Sequence, residues 1–308
     1  MKNNPTIVVL LAAYNGEKYI EEQIKTIYAQ ERVELTLVVN LDLSSDNSLN
    51  KLEKFASDNS INILPYGQRF GSAGANFFYM MQSVDFSKYD FVALADQDDI
   101  WNTSKLIDGI NYLRYENADG YSSSVTAFWE NGRKTLLRKN QPQKEFDYLF
   151  ESPGPGCTFI FTKKLAIAIQ DELIIKKDKV GILWMHDWFF YSFARFNKFK
   201  WAIDGRSSML YRQHGNNEVG ANSGWKSFYQ RLKVVTKGDA FKNLIIQADF
   251  LRQHNLPPIK LIKNNSRFSF FKLAFYAKSC RRKPFHQFLF LCMCLIFFVK
   301  GGHSYEDS

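Results

Sequence analysis

The sequence predicts an α/β fold with a mostly parallel sheet and flanking helices, and two observations support this prediction. Short apolar runs alternate with segments whose apolar residues recur at helical spacing through the first hundred residues. The runs are continuous, as is typical of strands that are buried on both faces. A β-α-β order of this kind implies right-handed crossovers between parallel strands.

The elements follow one another in a regular order. Four apolar runs are predicted as strands: Thr6–Ala13, Leu35–Val39, Ile61–Leu64 and Phe91–Ala95. Helices are predicted between them: Glu17–Ala29, a helix capped by Ser45-Asp46, and Gly74–Val84. Residues 110–150 show no clear period, so no element is predicted there. Farther along, residues 184–196 form a predicted aromatic helix, and residues 201–217 begin as a strand and end in a Gly/Asn loop.

Polar residues follow the predicted strands at the points where each strand ends. They are Tyr14, Asn15, Asp42, Arg69 and the segment Asp96–Asp99. Ligands of open parallel sheets bind beyond the carboxyl ends of the strands. We therefore expect these polar residues to converge at one edge of the sheet.

The segment Asp96-Gln97-Asp98-Asp99 places three carboxylates directly behind a buried strand. Like charges this close repel one another unless a cation or a basic group lies between them. One interpretation is a site for Mg²⁺ or Mn²⁺, since these hard cations prefer carboxylate oxygens and often share a substrate's phosphates. The alternative is a turn in which one aspartate caps a helix over Ile100–Leu113, a role that needs one carboxylate and not three.

Two further residues have both a chemical and a structural interpretation. Asp187, in the aromatic helix, fits a general base because apolar neighbours raise a carboxyl pKa. An isolated aspartate also serves as a cap or an ion-pair partner. His214 lies in the Gly/Asn loop, where a histidine often has no role. The motifs of dinucleotide sites, P-loops, serine hydrolases and zinc proteases are absent from the sequence.

Six sequence blocks occur in a characteristic order: AAYNG (12–16), DLSSDNS (42–48), ADQDDIW (95–101), GPGC (154–157), HDW (186–188) and YRQHGNN (211–217). Together they resemble glycosyltransferase family two, and more narrowly its bacterial rhamnosyltransferase-like branch. The resemblance covers residues 5–220. It implies a GT-A type fold, a nucleotide-sugar donor, a divalent metal and inversion at the anomeric carbon.

The resemblance also implies roles for individual residues. Donor contacts are expected from Ala12, Tyr14, Asn15, Asp42, Arg69 and Asp96, with Asp96 contacting a ribose hydroxyl. The metal ligands are expected to be Asp98 and His214, and the catalytic base Asp187. Acceptor contacts are expected from Trp101, His186 and Trp188. The chain departs from the family at Leu41 and Leu43, where the family has an acid and a glycine, so contacts to the donor base are expected to differ.

The basic excess of the chain is confined to one C-terminal segment. Residues 225–283 contain 14 Lys/Arg and 2 Asp/Glu, whereas residues 1–224 contain 25 and 27. Behind it, Phe288–Val299 is an uninterrupted apolar run of about 18 Å, shorter than the bilayer core of about 30 Å. This run is either a core helix of the catalytic domain or a helix that lies in the cytoplasmic leaflet beside the basic segment. Because nothing resembles a base-reading module, we expect no nucleic-acid partner.

These observations predict an enzyme with two domains. The catalytic domain spans residues 1–224, with a donor half over residues 1–105 and an acceptor half over residues 106–224. A basic helical membrane-associating extension spans residues 225–308. The four cysteines lack zinc or redox spacing, which fits a reducing cytoplasm. We expect the enzyme to be peripheral on the inner face of the plasma membrane.

The expected reaction moves a sugar, rhamnose by preference, to a hydroxyl of a lipid-linked oligosaccharide in O-antigen or capsule synthesis. The preferred donor is dTDP-rhamnose. One alternative is a UDP-hexose donor. The other is a non-catalytic membrane-surface binding protein with a degenerate donor site, an interpretation based on Leu41 and the basic segment.

Overall fold

A computed structural model describes residues 4–58, 61–213 and 239–301 of the chain. The chain divides into two compact units. The sheet unit comprises Met1–Asn140 and Pro153–Ala221, and the helical unit comprises Gln141–Ser152 and Asn222–Ser308. Residues 141–152 thus group with the helical unit although they interrupt the sheet unit along the chain. The predicted boundary at residue 224 and the division into donor and acceptor halves stay predictions.

One nine-stranded sheet organises the described part of the sheet unit. Its strands are β1 (Thr6–Ala13), β2 (Glu34–Leu41), β3 (Ile61–Ile63), β4 (Phe91–Ala95), β5 (Ile100–Trp101), β6 (Gly120–Trp129), β7 (Lys134–Leu137), β8 (Ile160–Thr162) and β9 (Trp201–Gln213). The strand order is β3-β2-β1-β4-β8-β6-β9-β5, and β7 pairs with β6.

The first half of the sheet is parallel and has the predicted strands. β1 pairs in parallel with β2 from Thr6 opposite Glu34 and with β4 up to Leu11 opposite Ala95. β3 continues the parallel array beside β2. This register brings the carboxyl ends of β1, β2 and β4 to one edge. The α/β fold class is confirmed, and the second half of the sheet adds antiparallel pairs of β8 with β4 and β6.

Six helices accompany the sheet within the described residues. They are α1 (Ile20–Tyr28), α2 (Ser48–Asp58), α3 (Ala73–Ser83), α4 (Lys105–Tyr115), α5 (Lys163–Ile175) and α6 (His186–Phe196). α1 turns Ile20, Ile24 and Ile27 into the core, as their helical spacing predicts. α3 begins at a capping residue, Ser72, whose hydroxyl accepts from the Ala75 N–H at 3.1 Å.

The prediction of a helix over Ile100–Leu113 is wrong for its first residues. Ile100 and Trp101 form the short strand β5, which pairs antiparallel with β9, and α4 begins only at Lys105. Asp99 is therefore not a helix cap. The pairing with β9 is a contact between residues about a hundred positions apart, and local helical spacing cannot report it.

The helical unit contains five helices among the residues described. They are α7 (Asp239–Phe250), α8 (Pro257–Asn264), α9 (Arg267–Ala274), α10 (Ala277–Cys280) and α11 (Pro284–Lys300). Arg282 is buried at the start of α11, with its guanidinium 3.5 Å from Asp147 and 3.4 Å from Glu151. These ion pairs join Asp147 and Glu151 to Arg282, which precedes α11 within the same unit.

The apolar run Phe288–Val299 lies within α11, and its two sides differ. Phe290, Cys294 and Phe297 are buried at helical spacing, whereas Phe288 and Val299 are exposed. The segment thus has one buried side and one exposed side, and its location in the cytoplasmic leaflet stays a prediction. Among the described helices, none is long and apolar enough to cross a membrane.

Candidate active site

One side-chain amide joins β1 to the loop that follows β4. The Tyr14 N–H donates to Gln97 Oε1 at 2.8 Å, and Gln97 Nε2 donates to the Tyr14 carbonyl at 2.8 Å. These two bonds fix the Asp96–Asp99 loop against the end of β1. The Tyr14 ring remains half exposed at this edge, and an exposed aromatic ring offers a surface on which a planar base can stack.

Side chains of the DLSSDNS block hold the loop after β1. Asn15 has a left-handed backbone with φ 45°, which asparagine adopts more readily than most residues. Its Oδ1 accepts from the Ser45 N–H at 2.9 Å. The Gly16 N–H donates to Ser48 Oγ at 2.8 Å. Hydrogen bonds therefore connect the loops after β1 and β2 at the edge of the sheet.

Asp42 is buried, and its carboxylate accepts three backbone N–H groups. Oδ1 accepts from Leu43 at 2.7 Å and from Phe70 at 2.8 Å, and Oδ2 accepts from Gly71 at 2.8 Å. The carboxylate thus holds the segment before α3 against the end of β2. Leu41 is buried in the core and Leu43 is exposed, so the two departures from the family pattern differ in environment.

Three groups with metal-ligating chemistry meet beside this edge. Ligand atoms of Asp96, Asp99 and Cys157 lie within 4.8 Å of one another. Burial, followed by the charges of Asp98 and Asp96, raises the pKa of Asp99 well above its usual range. Asp99 Oδ2 is buried without a hydrogen-bond partner in the described part of the chain. The two carboxylates fit a hard divalent cation, whereas the Cys157 sulfur is a soft donor that such a cation disfavours.

A buried lysine, Lys105, interacts electrostatically with the carboxylates of Asp96 and Asp99. Lys105 Nζ lies 3.4 Å from the centroid of the Trp101 ring, and both residues are almost fully buried. Burial lowers the pKa of Lys105 to about 8, against the opposing influence of Asp99 and Asp96. The protein therefore supplies one basic group close to the clustered carboxylates.

Arg212, on β9, contacts the carboxylate loop at two points. Its backbone N–H donates to Asp99 Oδ1 at 3.2 Å, and its Nε donates to the Asp98 carbonyl at 2.8 Å. Its guanidinium also pairs with Glu22 of α1 and lies 4.3 Å from the centroid of the Tyr19 ring. These contacts hold the backbone of the loop at Asp98.

Asp187 lies in the first turn of α6, where the helix dipole favours a carboxylate. The Trp188 N–H donates to its Oδ1 at 2.7 Å. The adjacent His186 ring packs against Phe77 at a centroid distance of 4.3 Å. Burial lowers the pKa of His186 to about 3, so the imidazole is neutral near pH 7.

The short turn Gly156–Thr158 separates these two groups of residues. Cys157 belongs to the cluster with Asp96 and Asp99. The neighbouring Gly156 packs so closely on His186 that a Cβ atom there would overlap Nε2 of the imidazole. One turn of three residues therefore contacts the carboxylate cluster and also the segment that carries Asp187.

Residues 8–180, which are more than half of the chain, match the family Glycosyl transferase family 2. The chain belongs to this family. It is 45% identical over 227 residues to the dTDP-rhamnosyl transferase RfbG of Shigella flexneri, which is 73% of this chain and 78% of that protein. It is 26% identical over 174 residues to the UDP-Glc:alpha-D-GlcNAc-diphosphoundecaprenol beta-1,3-glucosyltransferase WfgD of Escherichia coli, covering 56% of this chain and 66% of WfgD.

The fold of this glycosyltransferase has a solved counterpart. The crystal structure of S. aureus TarS in complex with UDP-GlcNAc has a TM-score of 0.53 and 17% identity, over 95% of this chain and 89% of the TarS chain. At this identity the likeness shows the fold alone. The resemblance to the rhamnosyltransferase-like branch and the GT-A type fold are both confirmed.

The predicted donor residues lie where the strand order places them. Tyr14, Asn15, Asp42 and Asp96 follow the ends of β1, β2 and β4, and the carboxylate of Asp42 is already bonded to backbone N–H groups. Ala12 is buried within β1. The donor-binding roles of all these residues stay predictions.

The other predicted residues of this glycosyltransferase have varied surroundings. Arg69 is exposed in the loop before α3. Asp98 is buried, but it is not among the three grouped ligand residues. Trp101 and Trp188 are also buried. His214 lies outside the described residues. The metal, acceptor and base roles stay predictions.

Four residues of the site were not singled out from the sequence: Gln97, Lys105, Cys157 and Arg212. Three of them lie inside recognised blocks, namely ADQDDIW, GPGC and YRQHGNN. Their presence in those blocks was a signal, but it could not show which atoms they contact. Lys105 follows the ADQDDIW block, and no sequence pattern distinguishes it from an exposed helical lysine.

Proposed function

We propose that this glycosyltransferase is an inverting, metal-dependent rhamnosyltransferase that acts on a lipid-linked glycan. The observation that carries the proposal is the turn Gly156–Thr158, which contacts both the Asp96/Asp99 cluster and the segment that carries Asp187. A diphosphate-binding group and a base are the two parts that a single displacement needs. The identity of 45% to a dTDP-rhamnosyl transferase supports dTDP-rhamnose as the donor.

The proposed reaction is one displacement at the anomeric carbon of the donor. Asp187 takes the proton of the acceptor hydroxyl, whose oxygen forms a bond to the anomeric carbon. The bond between that carbon and the oxygen of the nucleoside diphosphate breaks, and the diphosphate leaves with the bonding electrons. Because the hydroxyl attacks opposite the leaving group, the configuration at this carbon inverts. General base catalysis of this kind contributes about 10²–10⁴-fold in rate.

The predicted cofactor is Mg²⁺ or Mn²⁺, and the residues at the sheet edge fit it. Asp98 and His214 are the predicted ligands, and the grouped carboxylates of Asp96 and Asp99 offer two further oxygen donors close to Asp98. A bound divalent cation supplies positive charge that offsets the charge on the leaving diphosphate. Arg212 holds the loop backbone at Asp98 for this purpose.

The proposed acceptor is a lipid-linked oligosaccharide at the inner face of the plasma membrane, in O-antigen or capsule synthesis. WfgD, which is similar over 56% of this chain, is named for a diphosphoundecaprenol acceptor. The basic composition of residues 225–283 also favours the surface of an anionic membrane. We therefore propose a cytoplasmic enzyme that is peripheral on that surface.

A UDP-hexose is the second candidate donor. It is supported by the name of WfgD, which uses UDP-Glc. Leu41 and Leu43 stand at the end of β2, where the family pattern has an acid and a glycine, and an altered base contact there is compatible with either donor. A non-catalytic binding protein with a degenerate donor site is the remaining alternative.

Calorimetry with dTDP-rhamnose and UDP-glucose, each with and without Mn²⁺, tests the donor and the metal together. We expect dTDP-rhamnose to bind at least tenfold more tightly than UDP-glucose, and only with Mn²⁺ present. Transfer to a short-chain analogue of a diphospholipid glycan is then followed by mass spectrometry. Preference for UDP-glucose would replace the proposed donor, and absence of any nucleotide binding would favour the non-catalytic alternative.

Two matched substitutions test the proposed metal ligands. Asp98→Asn should abolish the Mn²⁺-dependent part of donor binding while leaving the melting temperature unchanged. Since Asp99 is a buried member of the cluster and not a cap, Asp99→Asn should also weaken Mn²⁺ binding. Equal donor affinity in wild type and Asp98→Asn at saturating Mn²⁺ would contradict the assignment of Asp98.

A further inference from the structure

The helical unit exposes a row of phenylalanines on α9. Phe268 is 69% exposed, Phe271 is 42% exposed and Phe275, directly after the helix, is 76% exposed. Their spacing of three and four residues places them on one side of the helix. The rings of Phe271 and Phe275 contact each other edge to face at 5.3 Å. Exposed aromatic residues in a row are uncommon on a surface that faces only water.

A residue of α11 extends this row. The Phe298 ring lies 5.4 Å from the Phe271 ring and 6.3 Å from the Phe268 ring. We call Phe268, Phe271, Phe275 and Phe298 the aromatic face. Beside Phe298, Val299 is also exposed. The sequence pointed to the apolar run of α11 and the basic segment before it, and the structure shows that α9 also carries exposed aromatic residues.

Basic side chains surround the aromatic face. The Arg267 guanidinium lies 5.9 Å from the centroid of the Phe298 ring. Lys260 and Lys272 line an open cavity of about 430 Å³ next to Phe275, together with Pro257, Leu261 and Tyr276. Residues 250–301 contain ten Lys/Arg and no Asp/Glu. A ligand of this surface therefore meets apolar rings and positive charge, and no carboxylate from this stretch of the chain.

The charge distribution decides between the two simplest occupants of this surface. A second copy of the chain, related by a twofold axis, would bring the same basic residues against one another. An anionic bilayer has acyl chains that receive the rings and phosphates that pair with the lysines and arginines. The bilayer therefore satisfies both parts of the surface, whereas the second copy satisfies only the rings.

We propose that the aromatic face and the cavity beside it bind the headgroup layer of an anionic phospholipid bilayer. The rings of α9 enter the boundary between headgroups and acyl chains, and Lys260 and Lys272 contact lipid phosphates. This inference deepens the proposed membrane partner of the enzyme, because it names the surface and the lipid class.

Sedimentation of the full-length protein with vesicles tests the aromatic face. Vesicles of phosphatidylglycerol with phosphatidylcholine are compared with vesicles of phosphatidylcholine alone. The triple substitution Phe268→Ser, Phe271→Ser and Phe275→Ser should weaken binding to the anionic vesicles at least tenfold. Tyr115→Ser, at an equally exposed aromatic residue of the sheet unit, is the matched control and should bind like wild type.

A second pair of variants tests the basic cavity. Lys260→Gln with Lys272→Gln should reduce the preference for anionic vesicles several-fold. Lys177→Gln with Lys179→Gln removes the same charge from exposed positions of the sheet unit, and it should leave that preference unchanged. Equal losses in both pairs would show that total charge and not this cavity attracts the vesicles, which would overturn the role of the cavity.

The depth of the rings gives a readout that does not depend on affinity. Phe275→Trp should add indole fluorescence that is quenched by lipids brominated near the headgroup end of their acyl chains. Tyr115→Trp should add fluorescence that these lipids do not quench. Unquenched Phe275→Trp in vesicle-bound protein would overturn the proposal, as would a stable dimer in light scattering that the triple substitution dissociates.

Vesicle binding tests the aromatic face, whereas sugar transfer tests the proposed function of the enzyme. Transfer to a water-soluble acceptor by the triple variant should equal that of wild type, because the three phenylalanines lie outside the candidate active site. Vesicle binding is measured without donor or acceptor. Loss of vesicle binding with normal transfer supports the aromatic face, whereas vesicle binding that survives the triple substitution overturns it whatever the donor proves to be.

Discussion

The edge of the sheet and the aromatic face of the helical unit depart from ordinary burial in opposite directions. At the edge of the sheet, Asp42 and Asp99 are carboxylates removed from water, and Lys105 is a buried amine. In the helical unit, Phe268 and Phe275 are large apolar side chains left in water. Both arrangements cost stability in the isolated protein. The comparison shows that the edge of the sheet buries charged groups, whereas the aromatic face leaves apolar groups in water.

The largest effect is expected from a comparison of a buried and an exposed phenylalanine in α11. Phe290→Ala should destabilise the protein by about 3–5 kcal/mol, because Phe290 is buried and packs edge to face on Phe150 at 5.0 Å. Phe288→Ala, two residues earlier at an exposed position, should change the free energy of unfolding by less than about 0.5 kcal/mol. Urea unfolding of the two variants measures both. Equal losses would show that the exposed side of α11 also has a folding role.

The next largest effect is expected in the sheet unit. Asp187→Asn keeps the size of the side chain and removes its ability to accept a proton. Transfer should fall by about 10²-fold or more, while the affinity for the donor persists. Rates of sugar transfer and calorimetric donor binding measure the two quantities. A variant that transfers at nearly the wild-type rate would make Asp187 structural and leave the base to another carboxylate.

A smaller effect is expected from the arginine that holds the carboxylate loop. Arg212→Lys keeps the charge but loses the planar fork that reaches both the Asp98 carbonyl and Glu22. We expect Mn²⁺-dependent donor affinity to fall about tenfold, or about 1.4 kcal/mol. Glu22→Gln removes the ion pair alone and should cost less. If both variants bind Mn²⁺ and donor like wild type, the loop does not need Arg212 for its geometry.

The smallest expected effect concerns pH. Burial lowers the pKa of His186 to about 3, below the value of about 6.5 in an unfolded chain. Between these values the unfolded state binds the proton and the folded state does not, so stability is full above pH 6.5 and falls with decreasing pH. The contribution of His186 is about 1 kcal/mol from pH 6.5 to 5.5. Denaturant unfolding of His186→Phe at the two pH values should show a decrease that is smaller by this amount, and an equal decrease would show that folding does not lower the pKa of His186.

The parallel half of the fold could be predicted because its signals are local. β1 and β4 are continuous apolar runs, and the strands occur at the expected positions. β6 was missed because serines occupy its buried positions. Ser122, Ser123 and Ser124 are buried within it, and Trp201 Nε1 donates to Ser122 Oγ at 3.0 Å. A strand with serines at its buried positions carries no apolar signal in its own sequence.

The candidate site divides in the same way. The carboxylates of Asp96–Asp99 could be found because charges behind a buried strand are unusual. The bond from Arg212 to the Asp98 carbonyl could not, since it joins residues 114 positions apart. The helical unit shows the same limit, because the contact of Phe298 with Phe271 joins two helices. Contacts between elements depend on the packing of the whole unit and not on the local pattern.

The Gln97 side chain has a consequence for how the sheet ends. Its primary amide both donates to and accepts from Tyr14, so one side chain satisfies both backbone groups of that residue. The hydrogen bonding of β1 is therefore continued by a side chain at the point where β4 has ended. A glutamate at this position has the same shape but cannot donate. It would still accept from the Tyr14 N–H, but its second oxygen would face the Tyr14 carbonyl oxygen without a hydrogen between them. The Gln97 amide nitrogen is therefore one of the donors, with the backbone N–H and the Nε of Arg212, that hold the loop carrying the three aspartates.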